Sequence, residues 1–76
     1  MSLAVDDSLR RALGSALRAL DERTALVHKL EQQAKASGRN DLAQSWARRG
    51  QEFEREAKII SHAIGRLDHM VGQAAE

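Results

Sequence analysis

The residues best suited to chemistry in this chain are three histidines, His28, His62 and His69. His62 and His69 lie seven positions apart, so on a helix they share one stripe. Their neighbours one turn away include Lys58, Gly65 and Arg66, none of which ligates a metal. His28 has Glu31 three residues on, a two-point site at best. A di-iron centre built on helices needs Glu-x-x-His, with a carboxylate three residues before each histidine. Ala25, Ile59 and Arg66 stand at those positions, so no metal site is expected. Ser8, Ser15, Ser37, Ser45 and Ser61 have no strand-turn-helix elbow to present them as nucleophiles. Glu52, Glu54 and Glu56 read as a solvated run, not a catalytic pair. The glycines have neither Walker nor dinucleotide-binding spacing. No catalytic residue, metal or cofactor is expected, and the chain does not read as an enzyme.

The elements that would position these residues are helical. Ala, Leu, Arg, Glu and Gln abound, and Pro is absent. One interruption stands out, Ser37-Gly38-Arg39-Asn40-Asp41. Gly38 suits the left-handed position after a helix end. Asn40 suits the N-cap of the next helix, with Asp41 in its first turn. The expected fold is all-α: a helix over about 5–37, a turn at 38–40 and a helix over about 41–74. Matched lengths and a short loop imply an antiparallel hairpin.

Heptad spacing then nominates the helix-helix interface. In the second helix, steps of four and three give Trp46, Gly50, Phe53, Ala57, Ile60, Ile64, Leu67 and Val71 without a polar interruption. Leu42 and Met70 widen the seam, and Gly50 invites close packing. The first helix supplies Leu9, Leu13, Ala16, Leu20, Val27, Leu30 and Ala34. Arg23 breaks that series, and Thr24 can share its layer. The antiparallel arrangement should set Leu30 near Trp46, and Leu9 or Leu13 near Leu67. His28 should flank the seam, partly buried. Leu17 and Leu26 lie beside the seam and make the stripe wider than one partner helix needs. A second hairpin would cover the excess, so a homodimeric four-helix bundle is expected, or docking on other domains of a parent protein. Acid-before-base pairs at i, i+4 (Asp6–Arg10, Asp7–Arg11, Glu31–Lys35, Glu54–Lys58) should line the outer faces.

Composition narrows the remaining classes. The chain has 76 residues, 42% of them apolar, but 13 of the apolar residues are Ala and only 19 are large. That is a thin supply for a domain of this size. Cys is absent, so no disulfide framework or thiolate zinc site exists. The longest apolar runs, such as Ala25-Leu26-Val27, are far short of the roughly 20 residues a membrane span needs. A cytoplasmic setting with no membrane partner is expected. The net charge is +1, and Arg10-Arg11 and Arg48-Arg49 are diluted by Asp6, Asp7 and Glu52. Nucleic acid is therefore not expected as a partner, and a small nucleic-acid-binding regulator is one alternative reading. Met1-Ser2-Leu3 reads as an expression-vector leader ahead of a piece of a larger protein.

The run from Ser8 to Leu26 resembles a known extension. Ala16-Leu17-Arg18-Ala19-Leu20-Asp21-Glu22-Arg23 carries most of the likeness, with Gly38-Arg39-Asn40, Leu42-Ala43 and Phe53-Glu54-Arg55-Glu56-Ala57. These segments are similar to the helical C-terminal tail of chemotaxis protein-glutamate methylesterases. Gly14 stands where that tail often has Trp. The resemblance implies a non-catalytic interaction or oligomerisation module from a two-component or chemosensory protein. The family's catalytic residues lie in a domain this chain lacks. The other alternative is a histidine phosphotransfer module using His28-Lys29-Leu30-Glu31, although Glu31 and Gln32 stand where such a site has Gly.

Overall fold

The computed structural model describes the backbone of residues 3–74 and the side chains of residues 6–70. It is an all-α hairpin of two helices, α1 (Leu3–Ala36) and α2 (Asn40–Ala74). α1 starts two residues earlier than the sequence indicates and stops one earlier. Met1, Ser2 and the side chain of Val71 lie outside the described residues.

The reversal is built from backbone hydrogen bonds. Gly38 takes φ +74°, a conformation that costs an L side chain about 1–2 kcal/mol. With Gly38 so placed, the Arg39 amide donates to the Ala34 carbonyl at 2.8 Å. The Gly38 amide donates to Lys35 at 3.1 Å. Together these two bonds form a Schellman motif, which satisfies carbonyls that the end of α1 would otherwise leave free. Lys35 in the last turn of α1 and Asp41 in the first turn of α2 complement the helix dipoles.

The N-cap differs from expectation. The Arg39 carbonyl accepts the first α2 bond, from the Ala43 amide at 3.0 Å. Arg39 is therefore the cap, and Asn40 is already helical. The Schellman bond fixes Arg39 against α1, and α2 restarts directly from it.

The helices form a rod of 58 × 15 × 13 Å between Cα atoms. Its core is a line of small contacts. Leu20, Val27 and Ala34 are buried on α1, one heptad apart, and Ala43 is buried on α2. A β-carbon added at Gly50 would lie 3.5 Å from Val27 Cγ1, so these two positions face each other. At the open end, Arg10 reaches Asp68 at 2.5 Å. These two contacts mark the antiparallel register. That register brings Leu20 level with Ala57, Ala34 with Ala43, and Leu13 with Ile64. Each buried side chain of α1 thus meets a small residue of α2 until the open end, where both sides become bulky.

Two details adjust the sequence reading. Close packing does not require glycine at position 50, because an alanine methyl would make an ordinary contact with Val27. Thr24, and not Arg23, takes the layer between Leu20 and Val27. Its Oγ1 donates to the Leu20 carbonyl at 2.8 Å, and it is half-buried while Arg23 is exposed.

Gly50→Ala should raise the unfolding free energy by about 1 kcal/mol through helix propensity alone. Gly38→Ala should lower it by about 1–2 kcal/mol through its left-handed backbone. Urea denaturation at one fixed protein concentration measures both.

Candidate interaction surface

A two-helix rod has two long faces, and here they differ in chemistry. On one side of the contact line runs a polar groove whose lining includes Asp21, Thr24, His28, Glu31, Gln51 and Glu54. On the other side, Leu30, Ala34, Leu42 and Trp46 line a groove near the turn. Helical spacing extends that second face along both helices. Leu26 follows Leu30 on α1, and Phe53 and Ile60 follow Trp46 on α2 at heptad intervals.

This apolar face is only partly covered. Leu26 is 57% exposed and Leu42 41% exposed. Leu30, Trp46, Phe53 and Ile60 are half-buried, edged against the partner helix with their outer surfaces in water. The Arg49 guanidinium carbon lies 6.0 Å from the centre of the Trp46 ring, close enough for a cation–π contact. Leu17 sits on the opposite flank of α1 and is half-buried there.

The other residues nominated from the sequence fall as follows. Leu20 and Val27 are buried. Leu13, Ala16, Gly50, Ala57, Ile64 and Leu67 are half-buried along the contact line. Leu9 and Met70, near the open end, are exposed. Ile59 is 68% exposed on the back of α2, and nothing in the structure explains it.

The polar groove carries ion pairs. Lys35 Nζ lies 3.0 Å from Glu31, and His28 Nδ1 lies 3.8 Å from the same carboxylate. His28 is exposed, not partly buried, because its stripe points away from α2 into this groove. Carboxylates of Asp21, Glu31 and Glu54 surround the groove. His62 and His69 are exposed on α2, beside Ser61, Gly65 and Arg66. Among the described residues, no three His, Asp or Glu side chains converge as a metal site would need.

The surface pairs follow the i, i+4 pattern in part. Arg11–Asp7 closes at 2.6 Å and Lys35–Glu31 at 3.0 Å. Arg10 leaves Asp6 for Asp68 across the hairpin. No Glu54–Lys58 pair forms among the described residues. No described helix is long and apolar enough to cross a membrane.

No protein-family model, curated protein or solved structure matches this chain. The surface must therefore be read from its own chemistry.

His28→Asn should leave thermal stability within about 0.5 kcal/mol of the parent chain, because the ring is exposed and its nearest carboxylate is held at 3.8 Å. A thermal melt followed by circular dichroism measures this.

Proposed function

We propose that this chain is a non-catalytic helical module that self-associates through its apolar face, two hairpins forming a four-helix bundle. The observation that carries this reading is the one-sided surface of Leu26, Leu30, Leu42, Trp46, Phe53 and Ile60. The accessible area supports it. The hairpin exposes 5995 Å², whereas a compact protein of its 8.4 kDa exposes roughly 4,600 Å². The excess, about 1,400 Å², exceeds the roughly 800 Å² each partner buries in a standard interface. A second hairpin on the apolar face removes surface of the required kind and extent.

The likeness of Ala16–Arg23 and Phe53–Ala57 to the tails of chemotaxis methylesterases extends the proposal. On that reading the module pairs copies of a chemosensory parent protein or docks on its other domains. Its role is to hold the copies together, and the reaction belongs to the parent.

Sedimentation equilibrium tests the association. The chain should run at twice 8.4 kDa. Leu26→Glu should weaken pairing at least tenfold, because it sets a charge in the new interface at a site the single hairpin leaves in water. Phe53→Asp should abolish pairing. An unchanged dimer mass in both variants removes the apolar face from the assembly.

A further inference from the structure

The α1 side of the apolar face carries a gradient of side-chain size, and this gradient selects an orientation. On α1 the face is formed by a stripe at steps of four and three. It begins with Ala12, Ala16 and Ala19, passes Arg23, and continues with Leu26 and Leu30 toward the turn. On α2 the corresponding stripe has Leu42, Trp46, Arg49 and Phe53 in the turn half, then Glu56, Ile60, Ala63, Leu67 and Met70 toward the open end. The turn half of the face is therefore bulky on both helices. The open half is lined by alanines on α1.

We propose that the occupant of this face is a second copy of the chain lying antiparallel to the first, the two turns at opposite ends of the bundle. The proposal rests on the self-association proposed above and specifies its geometry. Consider the parallel alternative. Two bulky halves would meet, with Leu30 pressed on Trp46 of the second copy. The turn end would be overfilled, which destabilises a packed interface.

Antiparallel packing removes the mismatch. With the twofold axis crossing α1 near Glu22 and Arg23, α1 lies along α1 of the second copy and α2 along α2. Leu26 comes level with Ala19 of the second copy, and Leu30 with Ala16. Trp46 comes level with Ala63, and Leu42 with Leu67. Large side chains face small ones along the α1 pair, and Trp46 faces Ala63 in the α2 pair. The charges on the face also agree. Arg23 comes level with Glu22 of the second copy, and Arg49 lies within one turn of Glu56. The accessible area in excess of a compact protein accommodates this full-length overlap.

The chain has no cysteine, so a single label can be placed cleanly. Ser37 is exposed in the turn, at the end of the groove lined by Leu30, Leu42 and Trp46. Ser37→Cys carrying a nitroxide, with its mass checked by sedimentation, allows pulsed dipolar distance measurement between copies. A dimer with the two labels roughly 40–45 Å apart, from 1.5 Å per residue on either side of the axis, supports the antiparallel arrangement. A dimer with labels within about 20 Å overturns the orientation while leaving self-association intact. A single-chain mass overturns both. Ala16→Trp is the second variant. It should weaken the antiparallel dimer at least tenfold by filling the space Leu30 of the second copy needs. An unchanged or tighter dimer in Ala16→Trp counts against the arrangement.

Discussion

The positive φ of Gly38 is the constraint on which the rest of this molecule depends. It lets Arg39 fold back onto the Ala34 carbonyl, and so decides where α2 begins relative to where α1 ends. In an antiparallel pair with a three-residue connection, that single choice fixes every contact further along. Val27 meets Gly50, Leu20 comes level with Ala57, and Arg10 reaches Asp68 some 40 Å away along the helices, at about 1.5 Å per residue. A turn one residue longer would rotate α2 by about 100° and bring a different stripe to the contact line. The Arg10–Asp68 pair, half-exposed on both sides, is too weak to impose this register and follows from it.

Once the register is set, small residues determine how the helices pack. Ala34, Ala43, Gly50 and Ala57 let the backbones approach. The consequence is a contact line with few deeply buried groups, and among the described residues no large side chain is fully covered. Trp46 and Phe53, the only aromatic residues, are displaced to the edge of that line. The hairpin is therefore close-packed along its centre and unfinished along one flank. This asymmetry separates a charged groove around Glu31 from an apolar surface around Leu26, and the proposal of self-association rests on it.

Much of this was legible in the sequence, for identifiable reasons. The absence of Pro and the lone Ser-Gly-Arg-Asn-Asp break left little room for anything but two helices. The heptad spacing of Leu20, Val27 and Ala34 marks the side of α1 that is buried. Three features were not legible. Whether Arg39 or Asn40 capped α2 depended on a backbone bond from Arg39 to Ala34, which residue type does not encode. The path of Arg10 to Asp68 depended on register. His28 was misjudged because a residue beside a seam can lean to either flank, and only the placement of α2 decides which flank is open. The division into a polar and an apolar face was hidden for the same reason, since a linear heptad pattern does not distinguish left from right of the contact line.

The distribution of buried residues also bears on how the chain folds in time. Val27, Ala34 and Ala43 lie in the half of the rod nearest the turn, and Leu20, the other buried residue, lies near its middle. Closing those contacts requires short loops, whose entropic cost is low. Contacts toward Leu13 and Ile64 join residues far apart in sequence, yet each becomes local once the pair nearer the turn has closed. The chain can thus zip from Gly38 outward. No proline isomer or disulfide lies on the path to slow it. The same order runs in reverse on unfolding, so the open end around Arg10 and Asp68 is the first part of the hairpin to separate.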